Sequence, residues 1–296
     1  MSKTYILHHR DSDGYCAALA AYVAGLTEAW QPGNLANAIY IDVQYGEAFP
    51  NIELTDKDRV YILDFSYDRA TLDAVNAKVK DLVVIDHHKT AAKALQGASY
   101  AIFDMTKSGS DLAWEYFHGH VPMNWMLQLV SEYDMGVRDH KEAQWLENTM
   151  VAHPRKGDLV FWKKIMDDPV ELQEVLEIGR GIQFNNDQIL RNIVDKKYYR
   201  EIQWSGYRGA VVNSAILRNE IAYAVLDARP DLEFVCTTRI FPSGQMKLAL
   251  RARKEDKHID ISTIAEYLGG GGHRASASVV VSLSQSLALQ REWYSV

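Results

Sequence analysis

Leu82-Val83-Val84-Ile85-Asp86-His87-His88 decides the reading of this chain. Four apolar residues, three of them β-branched, make a short buried strand, and an acid and two imidazoles follow it at once. Such side chains are poor core residues. At the carboxyl end of a strand they are well placed to hold cations at a solvent-facing edge. Two more clusters share that position: His9, Asp11 and Asp13 follow the run Tyr5-Ile6-Leu7, and Asp64 closes Val60-Tyr61-Ile62-Leu63.

Further apolar runs predict strands at Thr4 to Leu7, Ile39 to Val43, Arg59 to Leu63, Leu82 to Ile85 and Tyr100 to Phe103, with helices at Gly14 to Ala24 and Ala70 to Lys80. Strands alternating with helices imply a mainly parallel sheet covered on both faces, and ligands bind such sheets beyond the carboxyl ends of the strands. All three clusters lie there. From Ser110 to about Asp195 the pattern is helical, with Ser108 or Ser110 as a cap and Met123 to Tyr133 delivering Asp134. Val170 to Arg200 reads as a helical connection.

A new alternation then begins. Gly209 to Asn213, Leu232 to Thr238 and Met246 to Ala252 read as strands, and Leu217 to Ala228 and Ser262 to Leu268 as helices. Gly269-Gly270-Gly271-Gly272-His273-Arg274-Ala275-Ser276 and a strand-like Ser278 to Leu283 complete it. The expected fold is α/β in two domains. A larger N-terminal body, a mainly parallel sheet flanked by helices, spans 1–180; a helical linker spans 181–203; a smaller mixed α/β body spans 204–296.

The 296 residues carry a formal net charge of −7, which argues against holding long nucleic acid by counterion release and leaves room for a short anionic ligand. Cys16 and Cys236 lie far apart in apolar runs, as two buried thiols rather than a disulfide framework. No apolar run approaches membrane-spanning length, and Met-Ser-Lys-Thr leads straight into a strand without a secretory signal. The chain is read as cytoplasmic, without a membrane partner.

Four segments thus offer His9, Asp11 and Asp13; Asp64; Asp86, His87 and His88; and Asp134. Carboxylates with some imidazole and no thiolate suit Mn²⁺ or Mg²⁺ better than structural zinc, with Co²⁺ a further option. Converging acids repel one another unless cations neutralise them, and two bridged divalent ions would do so. Asp64, a lone acid between the other two clusters, is the natural bridge.

His9-Arg10-Asp11-Ser12-Asp13-Gly14, Asp64, Asp86-His87-His88 and Asp134 resemble, in order, the four signature motifs of the DHH phosphoesterase superfamily. The glycine run with His273 resembles the closing motif of the DHH-associated substrate domain, so the resemblance covers nearly the whole chain. It implies a manganese-dependent phosphoesterase with an N-terminal catalytic domain and a C-terminal substrate domain. By the same resemblance one metal takes His9, Asp11 and Asp64, and the other Asp13, Asp64, His87 and Asp134. Asp86 then orients an imidazole, His88 faces the substrate phosphate or leaving oxygen, and His8 is a neighbour of the site.

Four glycines allow close backbone approach to an anion, and His273 and Arg274 add a donor and a charge. Arg251 is the preferred second phosphate contact, and Arg253 is expected to point away from it. Gly270, Gly271, Gly272, His273, Arg274, Arg251 and Ser108 form the expected substrate-binding set. Capping is the ordinary role for Ser108 and Ser110, and Lys89 is equally well a surface residue. His118, His120, His140 and His153 receive no role, and a tryptophan is a candidate base-stacking residue.

The expected activity is hydrolysis of short RNA to mononucleotides by a water that two metals activate, with cyclic or linear dinucleotides as possible further substrates. The Asp-x-Asp-Gly form of the first motif and Lys107-Ser108-Gly109-Ser110 before a helix look like the nanoRNase/oligoribonuclease and cyclic-nucleotide phosphodiesterase branch. An exopolyphosphatase or pyrophosphatase would use the same metals and need more cations in the second domain. A RecJ-type single-strand exonuclease is the other alternative, disfavoured by the acidic charge and the lack of room for further domains. A non-enzymatic binding module would require a damaged ligand set, and every expected ligand type is present. The partner is a short oligonucleotide or nucleotide rather than long duplex, with a homodimer left open.

Overall fold

A computed structural model describes residues 2–26, 35–137 and 139–294. The chain divides into two units, Met1–Gln183 and Phe184–Val296. The first is built on a five-stranded sheet of β1 (Thr4–His9), β2 (Ile39–Val43), β3 (Arg59–Leu63), β4 (Asp81–Asp86) and β5 (Ala101–Phe103). All its pairings are parallel, in the order β2-β1-β3-β4-β5.

The strands are apolar on both sides because both sides are covered. Ile6, Tyr61, Leu63 and Ile85 face one core, while Tyr5, Leu7, Val60, Ile62 and Val84 face the other, following the two-residue period of a strand. Helix α1 (Ser12–Gly25) is buried nearly all round, which accounts for its run of alanines and its lack of a polar stripe. Around the sheet lie α2 (Arg69–Asn76), α3 (Lys89–Ala94), α4 (Gly109–His118), α5 (Trp125–Met135), α6 (Lys141–Ala152) and α7 (Leu159–Asp167).

The order reverses at β1. The chain leaves it for β2 on one side and returns to β3 on the other, so the crevice between the carboxyl ends of β1 and β3 is the switch point where such sheets bind ligands. His9 ends β1 and Asp64 follows β3.

The long helix α8 (Pro169–Ile193) precedes the second sheet. That sheet comprises β6 (Tyr199–Trp204), β7 (Tyr207–Asn213), β8 (Phe234–Ile240), β9 (Met246–Ala252), β10 (Gly271–His273) and β11 (Ser276–Val281), with α9 (Arg218–Ala228), α10 (Ile261–Tyr267) and α11 (Leu283–Tyr294). Its order is β10-β11-β9-β8-β7-β6, and only β7 and β8 run parallel. Strand β6 belongs to this sheet rather than to a helical connection. It turns into β7 through Ser205 and Gly206, both at positive φ (51° and 84°), the conformation a two-residue hairpin needs. Among the described residues no helix is long and apolar enough to cross a membrane, and both cysteines are buried thiols.

Candidate metal centre

The three strand ends and the end of α5 bring the expected donors together. His9, Asp11 and Asp64 offer ligand atoms within 4.8 Å of one another, and so do Asp13, His87 and Asp134. Asp64 stands between the groups. Its Oδ2 lies 3.5 Å from His9 Nδ1 and its Oδ1 lies 3.3 Å from His87 Nε2, while His87 Nε2 is also 3.5 Å from Asp134 Oδ2. The carboxylate is 1% exposed and its residue sits at φ 54°, a left-handed conformation rare outside glycine, asparagine and aspartate. The Asp64 N–H stays in the sheet, donating to Ile85 O at 2.8 Å.

Two buried atoms in this cluster make no hydrogen bond: Asp64 Oδ1 and His9 Nδ1, the latter poorly aligned with Asp11 Oδ2 although only 2.7 Å away. Buried polar atoms are rarely left so. His9 Nε2–H donates to Gln44 Oε1 at 2.9 Å, and Tyr45 N–H donates to the same atom at 2.9 Å, which fixes it as the amide oxygen. A neutral His9 therefore carries its lone pair on Nδ1, toward the carboxylates. Orphaned donors, a straddling carboxylate and an oxygen-rich set with imidazole all fit a pair of hard divalent cations.

The electrostatics agree. Burial disfavours a charged ring at His9, but Asp11 and Asp64 outweigh it and raise its pKa to about 11. His87 is raised in the same way to about 10, against its burial, by Asp64, Asp134 and Asp13. Burial and the Asp64 charge push Asp134 up to about 6 and Asp13 well above the carboxylate range. Protonated imidazoles here stand in for cations.

Other residues hold the donors still. Gly109 N–H and Ser110 N–H, at the start of α4, donate to Asp13 Oδ2 and Oδ1 at 2.7 and 3.0 Å. A Cβ on Gly109 would lie 2.3 Å from Asp64 Cβ, so only glycine lets the helix start this close. Asp11 caps α1, accepting Gly14 N–H at 3.0 Å. Asp86, 0% exposed, accepts His87 N–H, His88 N–H and His88 Nδ1–H on Oδ1, with Ser66 Oγ–H on Oδ2. It orients His88 and holds that ring's pKa above its ordinary value despite burial. His8 is buried, with Nδ1 3.0 Å from His9 O.

Three expected substrate contacts are already engaged within the protein. Ser108 is fully buried and is the N-cap of α4, in a reciprocal capping box with Asp111, the capping role that is ordinary for it. The Arg274 guanidinium donates to the carbonyls of Lys254, Asp256 and Ile259 and braces a loop. The glycine run, too, is partly a strand: β10 pairs with β11, and side chains on Gly270 or Gly272 would strike Ser278 O or Ala277 Cα at 2.3 and 2.5 Å. Gly271 alone of these three faces open space.

In the second unit, register assembles what sequence order hides. Arg251, Ser276 and His273 form one cross-strand row, and Thr237, Ala249, Ser278 and Gly271 the next, so they share a face. A third row pairs Arg239 directly with Lys247. Arg251 Nη2 donates to Asn219 Oδ1 at 2.7 Å, which ties the start of α9 to this face. Arg218, the first residue of α9, has a buried Nη1 without a hydrogen-bond partner. Burial and then Arg218, Arg251 and Arg239 hold the Lys247 pKa below its ordinary value. Among the described residues, Arg218, Arg239 and Lys247 form no ion pair with an acid. Arg253, expected on the opposite face, lies just past β9 on the α9 side with Arg251, as the two-residue period of a strand requires, and donates to the carbonyls of Leu232, Leu226 and Arg229 at the end of α9.

Comparison with known proteins follows the same lines. Residues 3–148 match the DHH family, N-terminal domain. Oligoribonuclease NrnB of Bacillus subtilis is 22% identical over 300 residues, covering 94% of this chain and 73% of NrnB. An uncharacterized protein of Acanthamoeba polyphaga mimivirus is 25% identical over 240 residues, 78% of this chain but only 56% of the viral protein, so the chain spans little over half of that relative. Among solved structures, RecJ of Thermus thermophilus in complex with Mn²⁺ aligns with a TM-score of 0.56 at 13% identity, over 98% of this chain and 51% of RecJ. PggH, a pGpG-specific phosphodiesterase of Vibrio cholerae, aligns at 0.52 and 14%, over 98% of this chain and 96% of PggH.

Proposed function

This chain belongs to the DHH phosphoesterase superfamily, and from that premise we propose that it is a divalent-metal phosphodiesterase that hydrolyses short RNA to mononucleotides. The observation that carries the reading is the Asp64 carboxylate straddling two ligand groups, with buried, unbonded donor atoms at its centre. His9, Asp11 and Asp64 would hold one cation, and Asp13, Asp64, His87 and Asp134 the other; Mn²⁺ suits the set best. When bound, such ions supply Lewis acidity toward phosphoryl oxygens and make water more acidic.

The chain's own groups do the rest. Asp86 fixes Nδ1–H of His88, so the ring's second nitrogen delivers a proton to the departing ribose oxygen or steadies it. Asp13, clamped by two backbone N–H groups, and His9, set by Gln44, hold their donor atoms in one orientation. In the second unit, Arg251, His273 and the open backbone at Gly271, with Arg218, Arg239 and Lys247, take the substrate's phosphates. The similarity to an enzyme named oligoribonuclease and to a pGpG-specific phosphodiesterase supports a short nucleotide substrate.

That basic face also favours a second reading, hydrolysis of pyrophosphate or polyphosphate, whose charge density it would match. Turnover in Mn²⁺ across labelled short RNA from dinucleotides upward, cyclic nucleotides, pyrophosphate and polyphosphate separates the two. Fast cleavage of dinucleotides is expected. Inert dinucleotides beside rapid phosphoanhydride cleavage would give the second reading precedence.

A further inference from the structure

An RNA substrate has bases as well as phosphates, and one aromatic side chain at the metal centre is placed to meet one. Residues Gln44 to Glu47 form a turn closed by Glu47 N–H to Gln44 O at 3.0 Å, with Gly46 at φ 92° in its third position, as a type II turn requires. Arg10 clamps that turn, its Nη1 and Nη2 donating to Glu47 Oε1 and Oε2 at 2.9 and 3.0 Å. Tyr45 stands at the second position.

Its ring is backed by Phe65, with centroids 4.5 Å apart, and meets His9 and His88 edge-on at 5.4 and 5.7 Å. Phe65 is buried, yet Tyr45 remains 48% exposed. The tryptophans do not offer the same. Trp114, Trp162, Trp204 and Trp293 are buried, Trp145 packs against the core of the first unit, and Trp30 lies outside the described residues. Trp125 is exposed but begins α5, whose other end carries Asp134, roughly 13 Å away along the axis.

We infer that Tyr45 is the base platform of this centre: the nucleobase next to the phosphate being cleaved stacks on the exposed ring. The inference rests on the phosphodiesterase reading and adds the recognition element that reading lacks. A rigid turn, a buried aromatic backing and adjacent imidazole edges hold the ring in place before substrate arrives, so little order is lost on binding. Every base has a π face, so the platform accepts all four with little preference.

The test compares a diribonucleotide with a diribose phosphate that lacks both bases, in Mn²⁺-loaded enzyme. Tyr45→Leu should shrink the ratio of kcat/KM between the two by roughly 5- to 150-fold, mainly through KM, and Tyr45→Phe should restore it. An unchanged ratio in Tyr45→Leu, with wild-type enzyme cleaving the dinucleotide, overturns the platform alone. A parallel loss on both substrates, together with weaker Mn²⁺ binding by calorimetry, also overturns it and makes Tyr45 a wall of the metal centre. Wild-type enzyme that ignores the dinucleotide but hydrolyses pyrophosphate overturns the phosphodiesterase reading, and the platform falls with it.

Discussion

The rim of the first sheet gathers five aspartates and three histidines, whereas one face of the second gathers three arginines and a lysine, of which Arg218, Arg239 and Lys247 are paired with no acid among the described residues. Each is an imbalance of charge that a fold alone would not build, and the two have opposite signs. The first protects itself by taking up protons on His9 and His87; the second does so by depressing the affinity of Lys247 for its proton. On the reading proposed above, each cluster takes a ligand of opposite charge. The two should therefore respond to charge removal in opposite ways.

The largest effect is expected at the straddling carboxylate. Asp64→Asn should lower kcat/KM by at least about 10³-fold and abolish tight binding of one Mn²⁺, read by calorimetry. Near-wild-type turnover would break the comparison at its root. Gly109→Ala keeps every ligand and adds only a methyl group that must displace Asp64; a loss of about 10²-fold is expected, recoverable in no metal concentration. Asp86→Asn should cost roughly 10- to 100-fold by releasing the His88 ring, with a shifted pH–rate profile.

Protonation sharpens the comparison further. Burial and neighbouring acids push Asp134 up to about 6, and the acids raise the His9 and His87 rings to about 11 and 10, so cations would displace protons from all three on the acidic side. Mn²⁺ affinity should rise with pH from 5 to 9, with proton release still measurable at about pH 8 from the two rings by calorimetry in buffers of different ionisation heat. Flat affinity over that range would contradict the assignment. The smallest effect has the opposite sign: Lys247→Gln should raise the melting temperature of the free protein by about 1–3 °C, because it relieves the like charge opposite Arg239. Pyrophosphate should then stabilise the variant less than the wild type.

Much of this was legible in the sequence. The parallel sheet announced itself because buried strands are continuous apolar runs, and the acids at their ends stood out against them. Strand β6 did not, because Tyr-Arg-Glu-Ile-Gln-Trp mixes charge into a stretch that continues a helical pattern; the Ser205-Gly206 turn was the signal available. The internal bonds of Ser108 and Arg274 were hard to foresee for one reason. Residue type declares what a group can bond, but only tertiary structure declares that the bond is already made, by Asp111 in one case and by loop carbonyls in the other. Gly109 and Gln44 were silent because their partners lie 45 and 35 positions away in sequence. The alignment of Arg239 with Lys247, and of Arg251 with His273, is a product of strand register, which no local pattern encodes.

The left-handed backbone at Asp64 has a consequence for how this chain could change over generations. Most residues placed there would forfeit the carboxylate and strain the turn together; asparagine and glycine would accept the turn but not the cations. A copy of this protein released from selection should therefore record its release at position 64 first, as Asn or Gly, while the rest of the sheet still reads as intact.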